Sequence, residues 1–592
     1  MMRATGLHAT RLPAFVNTVE TVLVVLMLGA VTGIAARYLR AIPLPLIQIA
    51  LGALISWPRQ GLHIAFDPEL FLLLFIPPLL FADGWRIPKR EFFKLYKPIL
   101  RLALGLVLVT VLGLGWLIHW MIPTMPLTVA FALAAVVSPT DAVAVSAITR
   151  NLGMPPKTMH ILEGESMLND ASGLVALKFA VAFTLTGLFS WTGVAREFAW
   201  VAVGGLAVGV GLGWGFAWLR DVVTRRVGDV AATQMVMLIL LLPFAAYMLG
   251  ERLGVSGILA AVAAGFATNY ADLQRGDFIA ERMQTAGAWA MIESAFNGAI
   301  FLLLGLQLPS ILASMAGSEY PGWQLAGYVL AICAALLLLR WGWLQLAVQG
   351  SLLKAHLEGK MVRGPSRLLN LASTLAGIRG AVTLAGALSV PLVMSDGRTP
   401  FPARDLLIFL ATGTIIVTLV LASVGLPLIL RRLPEVADPL EAREEREARL
   451  AACRAAIASL ALDPDRPEAR DPDWVTQYQE AVGRLTQDYR RRIGLLGDDG
   501  EGATPEARAE SPEAQRQRNE RYLMELELRL ACLHIERDTL YAERHAHRIN
   551  DESLRSLVAE LDLSEISLIK RLKVARKTAE AAPPPAAADR ER

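Results

Sequence analysis

Three carboxylates and one arginine occupy positions where a membrane-embedded chain would be expected to carry apolar residues. Ser138-Pro139-Thr140-Asp141 lies within one long apolar run, and Glu163-Gly164-Glu165-Ser166-Met167-Leu168-Asn169-Asp170 lies in the next. Much later, Arg379 is the one charge in a third apolar run, with Gly377 and Gly380 close on either side. A charge at bilayer depth costs roughly 2.5–3.5 kcal/mol on insertion scales and usually marks an ion or proton path. The oxygen donors at hand are the Asp141 and Asp170 carboxylates, the Ser166 hydroxyl and the Thr140 carbonyl. Oxygen ligands of this kind suit a small, hard cation. A carboxylate held away from water is stabilised either by a proton or by a cation, and the two exclude each other. The chemistry expected is therefore exchange of a monovalent cation for H+.

The elements that must position these groups follow from their spacing. Pro139 falls mid-run, where it removes a backbone donor and clashes with the preceding turn. A broken helix is tolerated in a bilayer only where protein or a water-filled cavity satisfies the freed groups. Asp141 at that break reads either as a cation ligand or as the cap of the following half-helix. On the next helix Glu165 and Asn169 are four apart, as are Ser166 and Asp170, so each pair shares a face. Ser166 and Asp170 would gather oxygens toward the ion, while Glu165 and Asn169 support them from an adjacent face. The glycines beside Arg379 predict a second break, the counterpart of the first in an inverted repeat. Arg379 needs an acceptor. Glu165 is the expected partner with Asn169 in the network, the alternative being that Arg379 snorkels to the interface. Asp83, Lys178, Glu293, Asn297 and Arg340 are the remaining intramembrane polar residues, each read as structural or as part of a gate or path.

Stepping outward, only 19% of the 592 residues are charged and 54% are hydrophobic, against about 25% charged for a soluble chain. The deficit lies in residues 19–430, so that region is expected to sit in membrane. Runs of the length a span needs number about thirteen. They lie near 19–37, 42–57, 68–85, 98–122, 127–149, 160–189, 198–219, 231–250, 254–271, 284–308, 323–350, 368–393 and 404–430. The first is read as a retained span. Alternate connections carry the lysines and arginines, such as Lys89 to Lys97, Arg150 and Lys157, and Arg220 to Arg226. By the positive-inside rule these are cytoplasmic, and Arg431 and Arg432 put the C-terminus inside.

Beyond Glu435 the composition turns to Ala, Glu and Arg. Helices are expected over 436–462 and 471–495, then a loop or disordered segment over 497–515. A helical seam follows at Leu523, Leu526, Leu530, Leu533 and Leu540, and a second amphipathic helix over 549–572. This tail reads either as a hairpin packing on itself or on a second copy, or as a regulatory module. The domain division is thus 1–434, a transmembrane antiporter domain, and 435–592, a cytoplasmic helical tail with a disordered end. A net charge of +3 with no basic-aromatic block gives no reason to expect nucleic acid. The three cysteines have no metal or redox spacing, and no Ser/His pair, metal triad or phosphate loop suggests an enzyme or a cofactor.

Ser-Pro-Thr-Asp-Ala-Val-Ala at 138–144, Gly-Glu-Ser-Met-Leu-Asn-Asp-Ala at 164–171 and Arg-Gly-Ala-Val-Thr-Leu-Ala at 379–385 resemble the signature stretches of the sodium/proton exchanger family, monovalent cation:proton antiporter family 1. The resemblance covers all the spans and implies an all-α polytopic membrane protein of thirteen helices with inverted repeats and two interrupted crossing helices. Spans four to six and eleven to thirteen would form a moving core, and the others a homodimer interface. It implies ion contacts from Thr140, Asp141, Ser166 and Asp170, and a structural network of Glu165, Asn169 and Arg379. Asn169-Asp170 resembles the electroneutral branch. The family's acidic residue in span three has its nearest counterpart in Asp83. The cargo expected is Na+, with K+ or Li+ as alternatives, exchanged for H+ across a bacterial inner membrane in contact with lipid. A cation channel, and a membrane-anchored sensor working through its tail, are the rival readings.

Overall fold

The computed structural model describes residues 11–36, 42–57, 68–149, 154–187, 191–227, 232–272, 279–315, 320–359, 366–396, 398–433, 472–495, 512–545 and 551–580, with isolated positions near 38, 152 and 450–458. The expectations for 436–449, 497–511 and 581–592 lie outside the described residues. The chain divides into two units, Met1–Val436 and Ala437–Arg592. Apart from one bridge between Val393 and Pro400, the regular structure described is helical.

The first unit begins with α1 (Arg11–Ala35), α2 (Leu44–Ser56) and α3 (Pro68–Arg86). A long helix follows, made of α4 (Lys89–Leu100), a π-helical stretch at Arg101–Leu106, and α5 (Val107–Met121). Next come α6 (Leu127–Val136), α7 (Ala142–Thr149) and α8 (Pro156–Thr186). α9 (Trp191–Val227), α10 (Ala232–Arg252), α11 (Gly257–Asp272) and α12 (Ile279–Met315) lead to α13 (Gly322–Leu357), α14 (Arg367–Leu375), α15 (Ala381–Leu388) and α16 (Arg404–Leu430). Among the described residues, seven helices are long and apolar enough to cross a membrane, and Leu23–Ala35, Leu44–Ser56, Leu127–Val136 and Gly257–Ala271 are shorter apolar ones.

The order long helix, broken helix, long helix occurs twice, in α4 to α8 and in α13 to α16. Helices α5, α6 and α8 pack together, as do α13, α14 and α16, and the two sets interlock where α16 meets α6 and α7 and α13 meets α5. The remaining helices form a second group in which α11 packs on α3 and α9, and α12 on α2 and α1. Helices α3 and α12 face the first group and contact α15.

Each break has a local cause. The first spans Val137 to Asp141, where Pro139 withholds its N–H and disfavours helix at Ser138. The second spans Ala376 to Gly380 and contains both glycines. The breaks touch: the Asp141 N–H donates to the Ile378 carbonyl at 2.8 Å, which makes them crossing elements. A Cβ on Gly173 of α8 would lie 2.4 Å from Pro139 Cγ, so a glycine there lets α8 lie against the proline.

Two basic stretches expected as connections lie within helices. Arg220 to Arg226 fall in the closing turns of α9. The basic stretch from Lys89 to Lys97 is the opening of the fourth long helix, not a connection. It is amphipathic, so an apolar-run criterion passes over it. Buried Lys89 explains why the preceding turn is so short: its Nζ donates to the carbonyls of Gly84 at 2.8 Å and Ile87 at 3.0 Å, closing the C-terminal end of α3, where a cation is favourable.

In the second unit the described helices are α17 (Pro472–Leu495), α18 (Pro512–His545) and α19 (Asp551–Glu580), of which α18 and α19 pack on each other.

Candidate cation and proton site

Glu165, Ser166, Asn169 and Asp170 are all buried on α8. Ser166 Oγ donates to the Thr140 carbonyl at 2.7 Å and accepts from the Ala142 N–H at 3.2 Å. One hydroxyl thus satisfies a carbonyl and an N–H freed by the first break. Asn169 Nδ2 donates to Thr140 Oγ1 at 2.8 Å, and that hydroxyl points at Glu165 Oε1, 3.5 Å away. Ser172, further along α8, donates at 2.8 Å to the Ala103 carbonyl in the π-helical stretch. The Thr140 carbonyl, expected to face a cation, accepts from Ser166 in this state.

Asp141 stands at the start of α7, and its Oδ1 accepts from the Ala144 N–H at 3.0 Å. The N–H groups of Val143 and Ala381 are also directed at this carboxylate, so the positive ends of α7 and α15 converge on it. A Cβ on Gly380 would lie 1.8 Å from Asp141 Oδ2. The capping reading and the ligand reading of Asp141 are therefore compatible: its Oδ1 caps α7, and the residue also lines the cavity described next.

Asp141 and Asp170 line one small cavity with Thr140, Ser166 and Asp83. The cavity measures about 40 Å³ to water centres, room for a few waters or one partly hydrated alkali ion, given the roughly 10–15 Å³ that a single water needs. Among the described residues the carboxylates of Asp170 and Asp83 accept no hydrogen bond from protein. Asp83 comes from α3 and Glu293 and Asn297 from α12, so the second helix group supplies one wall. A wider vestibule of about 360 Å³ shares Asp83, Ser166 and Glu293 and is also lined by Arg86, Ser146 and Glu163. At its edge Arg86 and Glu293 form a forked ion pair, one arm at 2.7 Å.

The expected Arg379–Glu165 pair is not formed. Arg340 of α13 holds Glu165 instead, through two guanidinium hydrogen bonds, one at 2.8 Å, with both side chains fully buried. Arg340 Nε donates to the Ser373 carbonyl at 2.9 Å, in the last turn of α14. Arg379 donates from Nη1 to the Pro139 carbonyl at 3.2 Å, just past the end of α6, and its own N–H donates to Thr418 Oγ1 at 3.2 Å. Each arginine thus serves the negative, carbonyl-rich end of one half-helix, which is where a cation belongs. Of the expected network, Glu165 and Asn169 join through Thr140, and Arg379 stands apart. The signal for Arg340 was in the chain, a lone charge deep in the α13 run, but two intramembrane arginines competed for one glutamate. Arg379 is buried, which removes the snorkelling alternative. Lys178, expected in a funnel or at the interface, is paired with Glu251 of α10 at 2.9 Å, both partly exposed.

Comparison with known proteins agrees with this architecture. The family model described as "Sodium/hydrogen exchanger, transmembrane" matches residues 22–432. The Uncharacterized Na(+)/H(+) exchanger YjcE of Escherichia coli (strain K12) is 44% identical over 560 residues, 93% of this chain and 98% of the relative. A sodium, potassium, lithium and rubidium/H(+) antiporter of Bacillus pumilus is 46% identical over 413 residues, 69% of this chain and 60% of that relative. The solved sodium proton antiporter MjNhaP1 from Methanocaldococcus jannaschii superimposes with a TM-score of 0.55 at 20% identity, covering 70% of this chain and 98% of that one, a likeness of fold. A match running from α1 to the end of α16, supported by relatives this similar over most of their length, places the chain in the sodium/hydrogen exchanger family.

Proposed function

We propose that the cavity between Asp141 and Asp170 is a single site that an alkali cation and a proton occupy in turn, so that the chain works as a secondary active antiporter. One observation carries the reading: two aspartates from adjacent helices line one small cavity, and among the described residues the carboxylate of one of them, Asp170, accepts no hydrogen bond from protein. An acid in that setting needs either a proton or a cation, and whichever enters displaces the other. Asp170 is the shared group. Asp141, Ser166 and Thr140 supply the other oxygens, with Thr140 and Ser166 giving up their mutual hydrogen bond as the ion enters. Glu165, Asn169, Arg340 and Arg379 hold the two breaks in register. Since Asn169 carries no titratable proton, one cation per proton, an electroneutral exchange, is the stoichiometry expected.

The relatives' names support a cargo of Na+, with K+ and Li+ in the same class. The vestibule is lined by Arg86 at the end of α3, Ser146 and Ala147 of α7 and Glu163 of α8, the ends of these helices next to the connections rich in basic residues. By the positive-inside rule that side is cytoplasmic, so the site faces inward here. Residues 1–434 form the antiporter domain of a bacterial inner-membrane protein, and 435–592 a cytoplasmic tail. Alternating access comes from motion of the α4–α8 and α13–α16 group past α3 and α12, and the second group provides a homodimer interface.

The test is proton flux in proteoliposomes with Na+, K+ and Li+ added in turn. The wild type should acidify or alkalinise the lumen in response to a cation gradient. Asp170→Asn should give no cation-dependent flux at normal abundance. Asp141→Asn, which keeps the capping oxygen, should raise the cation concentration needed for half-maximal flux. Cation-coupled proton movement persisting in Asp170→Asn would rule out the single shared site.

A further inference from the structure

A threonine inside a helix can return its hydroxyl to the carbonyl one turn back. Thr149, Thr268, Thr374, Thr414 and Thr418 all do so, at 2.7 to 2.9 Å. Thr383 does not. The residue is 1% exposed, and among the described residues its Oγ1 has no hydrogen-bond partner. Thr383 sits in the first turn of α15, so the carbonyl four residues back belongs to Arg379, in the break and outside the helix. A buried polar group left unpaired in a native fold calls for a reason, such as a bound ion or water. Ser138 and Thr412 also have unpaired hydroxyls, but neither lines the cavity between Asp141 and Asp170, whereas Thr383 does.

Two neighbours fix where Thr383 stands. Ala381, two residues before it, directs its N–H at the Asp141 carboxylate. Gly386, three residues after it and so on the same face of α15, packs on α8: a Cβ there would lie 3.2 Å from Leu174 Cδ2 and 3.4 Å from Leu177 Cδ2. Leu174 is one turn past Asp170. The face of α15 that carries Thr383 is thus turned to the helix that carries Asp170, and both residues line the cavity. The oxygens assigned to the cation above come from Thr140, Asp141, Ser166 and Asp170, which belong to the first break and to α8. Thr383 is the hydroxyl that the second break adds.

We propose that the Thr383 hydroxyl is a further ligand of the transported cation and sets how the site discriminates among alkali ions. The proposal rests on the reading of this cavity as the cation site. A hydroxyl oxygen offers a lone pair to a cation and carries no charge. It therefore adds to cation binding and leaves the seat of the proton, the Asp170 carboxylate, in place. Thr383 gives up no protein partner when the ion enters, in contrast to Ser166, whose hydroxyl is bound to the Thr140 carbonyl. Its contribution depends on ionic radius, because an oxygen on a short side chain that is stiff at χ1 reaches one size of ion better than another.

The test compares the wild type with Thr383→Val, which keeps the shape and loses the oxygen, and Thr383→Ser, which keeps the oxygen. One readout is the concentration of Na+, Li+ and K+ that gives half-maximal proton flux in proteoliposomes. The other is the concentration of each ion at which thermal stabilisation of the full chain in detergent sets in at alkaline pH, which reads binding without transport. Thr383→Val should be as abundant as the wild type and need roughly tenfold more Na+ in both readouts, by a factor that differs among the three ions. With weaker cation binding the proton competes better, so at fixed Na+ its flux profile should move to higher pH. Thr383→Ser should restore most of both. Unchanged cation requirements in Thr383→Val would overturn the proposal. So would an equal loss for all three ions, or a loss that Thr383→Ser does not recover, which marks a packing role. Failure of the exchange reading looks different: cations would stabilise the wild type more than Thr383→Val, with no cation-coupled proton flux in either. A wild type that no cation stabilises would remove the site and this ligand together.

Discussion

Glu165 is the residue on which the two breaks converge, because it receives both Arg340 and the Asn169–Thr140 chain. A buried ion pair adds little net stability over a well-packed apolar pair, but removing one member strands the other charge at a cost of about 3–5 kcal/mol. Arg340→Met is therefore expected to lower abundance and the melting temperature in detergent sharply. Glu165→Leu combined with Arg340→Met should recover most of that loss. A double variant as unstable as the single one would show that the Ser373 carbonyl, and not Glu165, is what Arg340 stabilises. The acids of the site were legible because they lie in two short strings, where i, i+4 spacing fixes which side chains share a face. The arginine pairing was not legible. Sequence shows that a buried charge needs a partner, but the choice between Arg340 and Arg379 depends on where each half-helix ends in space. Asp83, Glu293 and Asn297 were each readable as structural or path residues, but that they form one wall of the cavity was not, since that wall is built by packing α3 and α12 against helices distant in sequence.

At the scale of elements, the site is an arrangement of four half-helix ends. Two positive ends, of α7 and α15, meet Asp141, and two negative ends, of α6 and α14, meet Arg379 and Arg340. Pro139 and the Gly377/Gly380 pair made both breaks readable in advance. Their mutual contact was less so, and it depends on Gly380 having no side chain. Gly380→Ala would place a methyl 1.8 Å from Asp141 Oδ2, and overpacking of this kind typically costs about 1–3 kcal/mol. The expected outcome is flux reduced far more than protein abundance, because the displaced atom belongs to a carboxylate that lines the cavity. Flux that falls only in step with abundance would mean that Asp141 acts as a cap alone. In the tail hairpin, hydrogen bonds from Arg537 and His534 hold the Glu565 carboxyl below its ordinary value of 4.5. A depressed carboxyl contributes stability above its unfolded value and loses it as pH falls through the folded one. Glu565→Gln should therefore speed hydrogen exchange in α19 of the full chain at pH 6–7, with the difference from wild type closing below about pH 4.5. A difference that persists undiminished to pH 3 would point to packing and not to charge.

Taken as a whole, the molecule keeps its exchange chemistry in one of its two units. Asp141, Asp170, both breaks, the cavity and the vestibule all belong to Met1–Val436, and the family match ends at residue 432. The change in composition near Glu435 was readable as a boundary because charge density responds directly to whether a segment is solvated by lipid or by water. The use of the tail was not readable, since its helices carry no ligand motif and an amphipathic helix describes its own two faces without naming what covers them. If the proton and the cation compete for one cavity, nothing after Val436 is needed for a turnover. A chain ending there, reconstituted at matched protein density, should retain cation-dependent proton flux within a few-fold of the full-length rate, with the same order of preference among Na+, K+ and Li+. What the tail can change is the fraction of molecules active at a given pH or their state of association, which would shift the pH profile or the dimer yield and leave cation preference alone. A truncated chain that is folded and monodisperse yet moves no protons would make the tail a working part of the transport cycle, and the two-unit division of labour would have to be abandoned.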